Sequence, residues 1–226
     1  MATLLERAKK LQAKNIFLGG PLALFEIAGR KQLTILLKED LYPESKVLDI
    51  GCGCLRGGYW LIHFLEPGCY FGIEPNRKML EAGIKELLEP GLIEAKRARF
   101  DNHANFDFSV FGENFDFFVA RSIWTHASKS QIRTMLDGFV RYSKEGSVFL
   151  TSYVRASFLK RDDYKGEKWI GKSHDSDRSG VIKHKLSWIQ SECQDRGMLA
   201  EEILEKAYNF SDQTWLKIKK VNRRRL

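Results

Sequence analysis

The stretch Val47-Leu48-Asp49-Ile50-Gly51-Cys52-Gly53-Cys54-Leu55-Arg56-Gly57-Gly58 constrains the fold more than any other part of the chain. Val47, Leu48 and Ile50 form the short apolar run that a buried parallel strand needs. Gly51 and Gly53 can adopt backbone angles closed to other residues, so the chain can turn sharply there and bring N–H groups close to a ligand. A strand, a glycine turn and a following helix open a β-α-β unit, which points to an α/β fold.

Asp49 narrows what such a turn can hold. A dinucleotide turn has the pattern G-x-G-x-x-G and a helix N-terminus open to pyrophosphate. Here the sixth position is Arg56, and Asp49 sets a carboxylate at the strand end, where it repels phosphate. S-adenosylmethionine has no phosphate, and its ammonium and sulfonium tolerate a nearby carboxylate. The alternative is a turn that serves only strand-to-helix geometry.

A second strand-like run, Cys69-Tyr70-Phe71-Gly72-Ile73, closes in Glu74-Pro75-Asn76. An acid at the end of the second strand of a β-α-β unit can accept both hydroxyls of a ribose. Trp60, Leu61, Phe64 and Leu65 give the intervening helix its stripe, which Pro67-Gly68 ends. Leu80, Ile84, Leu87 and Leu88 follow the spacing of a core-facing helix, stopped by Pro90-Gly91.

With Asp49-Ile50-Gly51-Cys52-Gly53 as a first motif and Phe71-Gly72-Ile73-Glu74 as a second, the chain resembles the class I S-adenosylmethionine-dependent methyltransferases across residues 40–220. The resemblance implies a doubly wound, seven-stranded, mostly parallel Rossmann-like sheet with a final antiparallel hairpin. It implies S-adenosylmethionine as cofactor and S-adenosylhomocysteine as product. Asp49 and the backbone of Gly51, Cys52 and Gly53 would hold the methionine end, Glu74 the ribose, and Asp101 the adenine amino group. Pro75, Asn102 and Arg121 complete the expected cofactor-binding set. The chain departs from the pattern at Leu55, where many members carry a third glycine, with Gly57-Gly58 displaced onward.

The later elements fit that architecture. Ala98-Arg99-Phe100-Asp101-Asn102 reads as the end of a third strand or as a loop. Phe115 to Ala120 is a fourth strand leading into Arg121-Ser122-Ile123-Trp124-Thr125-His126, the fourth-motif position where donor and acceptor meet in the family. Ser128-x-x-Gln131 forms a capping box ahead of Ile132, Met135, Leu136, Phe139 and Val140. Ser147 to Val154 gives a fifth strand, and Ser187-x-x-Gln190 caps a helix ending near Gly197. Leu199 to Ala207 and Thr214 to Lys220 are the last strands, joined by a turn at Asn209 to Asp212 short enough for an antiparallel hairpin.

With 226 residues and 43% hydrophobic side chains, the chain can bury one core. Residues 1–40 read as a helical addition broken at Gly19-Gly20-Pro21, with Gly29, Leu33, Leu36 and Leu37 along one face. This addition either lids the pocket or packs on the flank of the sheet. Residues 41–226 form the cofactor-binding domain, within which 155–185 is a polar insert holding Tyr164, Trp169, His174 and His184. The insert is an acceptor-recognition segment or a surface loop. Trp124 and Tyr153 are expected acceptor-pocket walls, with His174 and His184 as further pocket candidates. His126 has a pKa suited to a general base, although a histidine beside Trp124 can equally pack.

No apolar run reaches membrane-spanning length, Met1 to Glu6 does not read as a signal peptide, and the cytoplasm is the expected compartment. Four cysteines make neither a disulfide framework nor a metal site, so no metal is expected. The net charge of +8 and the basic end at Lys217, Lys219, Lys220, Arg223, Arg224 and Arg225 bring nucleic acid into consideration. Against it, Ala120-Arg121-Ser122-Ile123 is not the Asn/Asp-Pro-Pro-aromatic run that grips a flipped base, and no Pro-Cys pair supplies a cytosine nucleophile. The expected activity is methyl transfer to a hydroxyl or amine of a small molecule. Alternatives are an RNA or protein methyltransferase using the basic surface, a cofactor-binding protein without activity, and a dinucleotide-dependent oxidoreductase.

Overall fold

β1 (Val47–Ile50) is buried at every position and pairs in parallel with β2 (Tyr70–Ile73), which pairs in parallel with β3 (Arg99–Asp101). Asp49 stands opposite Gly72 and Ile73 opposite Asp101, so Asp49, Glu74 and Asp101 gather at one end of these strands. The computed structural model describes residues 2–157, 162, 164–171, 180–205, 207–209 and 212–221. Contacts divide the chain into two units, residues 1–104 and 105–226.

In the first unit, α1 (Leu4–Ala13) begins on a Thr3/Glu6 capping box, and α2 (Phe25–Lys38) follows a 3-10 turn at Leu22–Leu24. α3 (Gly58–Phe64) stops ahead of Pro67-Gly68, as the sequence predicts. The side chain of Asn76 caps α4 (Arg77–Leu87) by accepting from Met79 N at 3.0 Å. Met79, Leu80, Gly83 and Leu87 are buried on α4, while Ile84 is only half-buried. The charged stretch before β3 coils into the short α5 (Leu92–Lys96), and Arg99 to Asp101 is a strand rather than a loop.

Residues 1–40 are fixed within this unit. Arg7 donates to the Leu87 carbonyl at 2.6 Å and to Glu89 at 2.7 Å, and Lys14 pairs with Glu86. The buried face of α2 differs from the expected one. It runs through Phe25, Ala28, Gly29, Gln32, Ile35 and Leu36, leaving Leu33 half-buried and Leu37 exposed. Gly29 explains the rotation: a Cβ there would lie 2.3 Å from the Arg56 carbonyl oxygen, so the stripe centres on that close approach.

The second unit contains β4 (Phe115–Ala120), α6 (Lys129–Tyr142), β5 (Ser143–Arg155), β6 (Lys183–His184), α7 (Leu186–Gln194), β7 (Met198–Ile203) and β8 (Thr214–Lys220). β4 and β5 are parallel, whereas β8 runs antiparallel to both β5 and β7. Phe118 anchors the core, edge-on to Phe115 at 5.4 Å and to Phe139 at 5.0 Å. The Ser128/Gln131 capping box forms with both reciprocal bonds, and Val140 sits at the margin of the α6 face, 37% exposed.

Two expectations are corrected here. Ser187 does not cap α7: the helix already starts at Leu186, its N-cap is Lys185, and Ser187 lies in its first turn. β6 explains this, because its parallel pairing with Val154 and Arg155 holds the chain extended up to His184 and so sets where coiling begins. That two-residue strand also adds to the seven expected. The last pair of strands is shorter than the sequence suggests, since β7 ends at Ile203 and Ala207 lies in a turn. The architecture is α/β, mostly parallel and closing in an antiparallel hairpin. Among the described residues no helix is long and apolar enough to cross a membrane.

Candidate functional site

The turn after β1 is built on left-handed backbone at Gly51 (φ +70°), Gly53 (φ +60°) and Leu55 (φ +64°). Gly51 N and Cys52 N both donate to the Ile73 carbonyl, at 2.8 and 3.1 Å, which folds the turn back over the end of β2. Leu55 adopts without a glycine the conformation that glycine favours, at a cost of about 1 kcal/mol. α4 presses on the turn from behind, since a Cβ on Gly83 would lie 2.4 Å from the Cys54 carbonyl oxygen. Gly83→Ala is therefore expected to cost roughly 2 kcal/mol through backbone overpacking. A melting temperature equal to that of the wild type would show that α4 can slide instead. Over Gly53 there is room, because an added Cβ would meet only Met79 Cε, at 3.8 Å.

Two buried acids flank this turn. Asp49 accepts from the Tyr70 hydroxyl at 2.9 Å. Glu74 accepts from Gly53 N at 2.9 Å through one oxygen and from Asn76 N at 2.8 Å through the other. Burial pushes the Asp49 carboxyl up to about 6, against the lowering effect of the Tyr70 hydroxyl. Burial likewise pushes Glu74 up to about 7; the Asn76 and Gly53 N–H groups lower it, and Asp49 raises it. Asp101 gives its carbonyl to Glu74 N at 3.0 Å and its carboxylate to His103 N at 2.8 Å. Asn102 donates to the Glu74 carbonyl at 2.6 Å, and the Pro75 carbonyl accepts from Arg77 N at 3.0 Å.

The structure thus brings Asp49, the glycine turn, Glu74, Pro75, Asp101 and Asn102 together within one unit. Tyr70 belongs with them, and sequence reasoning passes over it because it reads as one more strand aromatic. The only polar tip in a short apolar strand is the signal that could have found it. Arg56 is engaged elsewhere, donating to the Gly19 carbonyl at 2.9 Å and so tying the glycine break of the N-terminal segment to the turn. Cys52 and Cys54 are buried thiols; burial pushes Cys54 up to about 12 and raises Cys52 as well.

Such a turn fits S-adenosylmethionine. Its backbone is open at Gly53, its charged groups are carboxylates that complement a cation, and Arg56, the cation nearest in sequence, is already bonded to Gly19.

In the second unit, β4 ends in a polar knot. Arg121 donates to Ser152 Oγ at 2.8 Å and to Gln213 Oε1, with its guanidinium 5.5 Å from the Trp215 ring centre. Ser122 N also donates to Ser152 Oγ at 2.8 Å, and Gln213 Nε2 donates to Ser122 Oγ at 2.9 Å. Gln213 escapes a sequence reading because nothing in its own neighbourhood marks it. It reaches Arg121 only through the pairing of β8 with β5.

Three residues expected to wall a pocket are core instead. Trp124, Tyr153 and His184 each have no exposed surface. Trp124 packs edge-on to Phe149 at 5.8 Å, Tyr153 donates its hydroxyl to Glu202, and His184 Nε2 lies 2.9 Å from the Trp124 carbonyl. Burying such rings gains more than an open pocket would leave them. His174 lies outside the described residues, as do Arg223, Arg224 and Arg225. His126 is half-buried, its ring 5.4 Å from that of Trp169, and its Nδ1 is buried without a hydrogen-bond partner. Burial lowers its pKa, against the raising effect of the Ile170 and Gly180 backbone. Tyr164 donates its hydroxyl to the Lys168 carbonyl at 2.7 Å. A cleft of about 660 Å³ opens at the end of β5 and the start of α7.

No family model and no curated protein matches the chain in sequence. Solved structures do match. The chain is similar to magnesium protoporphyrin IX methyltransferase of Synechocystis PCC 6803 with bound S-adenosylmethionine, at TM-score 0.58 and 14% identity, covering 85% of this chain and 80% of that one. It is similar to an S-adenosylmethionine-dependent methyltransferase of Clostridium acetobutylicum ATCC 824, at TM-score 0.61 and 11% identity, covering 86% and 91%. A glycopeptide N-methyltransferase complexed with S-adenosylhomocysteine matches at TM-score 0.62 and 13% identity, covering 84% and 89%. These likenesses establish the fold as the Rossmann-like fold of such methyltransferases.

Proposed function

We propose that the chain is an S-adenosylmethionine-dependent methyltransferase acting on a hydroxyl or amine of a small molecule. The observation that carries this reading is the pair of buried acids, Asp49 and Glu74, set around an open glycine turn. Bound there, S-adenosylmethionine would supply an electrophilic methyl group, which leaves its sulfonium for an acceptor oxygen or nitrogen and gives S-adenosylhomocysteine. Glu74 is read as the acceptor for the ribose hydroxyls, and Asp49 offsets the positive charge of the methionine end. The Gly51, Cys52 and Gly53 backbone lies along that end, with Pro75, Asp101 and Asn102 on the adenine side. Arg121 is read as a further cofactor contact.

Aligning donor and acceptor away from water supplies much of the acceleration, so the protein needs a base only for a protonated nucleophile. His126 is the candidate, with its pKa lowered by burial and its Nδ1 buried without a hydrogen-bond partner. His126→Gln is expected to lower kcat about a hundredfold while leaving cofactor affinity unchanged. In the wild type, kcat should rise with pH along a limb centred below 6.5 that the variant lacks. The same limb in both proteins would return His126 to a packing role.

The similar methyltransferases named for a porphyrin and a glycopeptide support a small acceptor here. The net charge of +8 favours RNA or protein as a second reading, which predicts RNA affinity falling steeply with salt. Four free cysteines favour a reducing compartment such as the cytoplasm. Thermal shift tests the proposal itself. S-adenosylhomocysteine should raise the melting temperature and NAD should not; the reverse supports an oxidoreductase. Methyl transfer to any of a panel of small hydroxyl and amine acceptors excludes a binding protein without activity.

A further inference from the structure

Strand pairing sets Tyr70 beside an acid. Val47 stands opposite Tyr70 and Asp49 opposite Gly72, so Tyr70 is the diagonal neighbour of Asp49 on one face of the β1–β2 pair. Gly72, directly across from Asp49, leaves space for the turn: a Cβ there would lie 2.9 Å from Cys52 Sγ. The Tyr70 hydroxyl donates to Asp49 Oδ2 at 2.9 Å. The start of α3 closes over that hydroxyl, since a Cβ on Gly58 would lie 2.5 Å from Tyr70 Oη. Both side chains are buried. Cys52, whose thiol burial holds protonated, and Glu74, a second acid, are the other titratable groups acting on this pair. Among the described residues no cation acts on Asp49, so the Tyr70 hydroxyl is what steadies its charge against burial. A buried carboxyl without such support takes up a proton, and a neutral acid attracts no cation.

We propose that Tyr70 is a positioning residue of the methyl-donor site: its hydroxyl grips Asp49 Oδ2 and so keeps the carboxylate charged and oriented for the ammonium of the methionine end, which meets Oδ1. The proposal rests on the methyltransferase reading above and adds a residue that touches neither donor nor acceptor. Burial and Asp49 raise the Tyr70 hydroxyl well above the usual phenol range, so it serves only as a donor and gives up no proton. What it changes is the cost of ionising Asp49 when the cation arrives. An O–H donor favours the charged acid over the neutral one, so its loss is felt where Asp49 must shed a proton to bind, and not where that proton is already gone.

Two ligands separate this role from a packing one. S-adenosylhomocysteine carries the ammonium, whereas methylthioadenosine has the same nucleoside and thioether without it. Calorimetry on the full chain reads both between pH 5 and pH 8. Tyr70→Phe should weaken S-adenosylhomocysteine about tenfold at pH 5 and by less than about twofold at pH 8. Methylthioadenosine should bind wild type and variant alike at every pH, because it shares the ribose contact of Glu74 but not the ammonium contact of Asp49. In an Asp49→Asn background, Tyr70→Phe should leave the ratio of the two affinities unchanged. Gly58→Ala, whose Cβ crowds the hydroxyl while the ring stays, is the second variant and is read the same way. An equal loss for both ligands, a loss that does not fade as pH rises, or a loss that persists in the Asp49→Asn background would overturn the proposal and return Tyr70 to packing. If wild type binds neither ligand, the methyltransferase reading falls; if it binds both and Tyr70→Phe is silent at pH 5, only the role of Tyr70 falls.

Discussion

Glu74→Ala is expected to weaken S-adenosylhomocysteine binding about a thousandfold, or about 4 kcal/mol, with the fold retained. The figure combines two charge-assisted bonds to ribose hydroxyls, at about 1.5–3 kcal/mol each. The same carboxylate also accepts from Gly53 N and Asn76 N, so the alanine variant frees the turn from the end of β2 as well. Glu74→Gln separates the two effects. Its amide oxygen can still accept one backbone N–H but carries no charge, so its affinity should fall between wild type and alanine. Calorimetry reads all three proteins. Unchanged affinity in the alanine variant would remove Glu74 from the ribose site, and an equal loss in both variants would show that charge alone carries the effect.

The second large effect is a dependence on pH. Asp49 moves from 3.8 to about 6 and Glu74 from 4.5 to about 7, both because burial disfavours the ionised form. Each group therefore holds its proton more tightly in the folded protein than in the unfolded chain. Its contribution to stability is full below the unfolded pKa and is lost as pH rises through the folded one. At about 1.4 kcal/mol per pKa unit, the loss is on the order of 3 kcal/mol for each. The ligand-free protein should accordingly melt at lower temperature at pH 8 than at pH 5, and Asp49→Asn should flatten the slope around pH 6. A cationic ligand favours the ionised acids, so S-adenosylmethionine should bind more tightly as pH rises over the same interval and release protons when it does. Wild type and Asp49→Asn melting in parallel across the range would show that Asp49 is ionised at no cost.

Much of this was legible in the chain because it is locally encoded. The apolar run at Val47–Ile50, the run at Phe115–Ala120 and the Ser128/Gln131 box each need only neighbouring residues to declare themselves, and each forms where expected. What escaped notice depends on partners distant in sequence. The start of α7 is set by the pairing of β6 with β5, which overrides a hydroxyl that looks like a cap. The buried stripe of α2 is set by the approach of the Arg56 carbonyl to Gly29. The hydrogen bond from Tyr70 to Asp49 and the closure of Gln213 on Arg121 both cross between strands. Trp124 and Tyr153 show the complementary error: an aromatic at a strand end suits a pocket wall and a core equally well, and only the packing of Phe149 and Glu202 decides.

The thiols built into the glycine turn make it its own reporter. Alkylating reagents attack the thiolate, and Cys52 and Cys54 are both shut from solvent and held protonated. Cys193 is buried too, whereas Cys69 is half-exposed, so iodoacetamide meets Cys69 first. Carbamidomethylation of Cys52 and Cys54 then waits for the turn to open, and its rate clocks that opening. A molecule seated on the turn slows this clock with no label added and no residue changed.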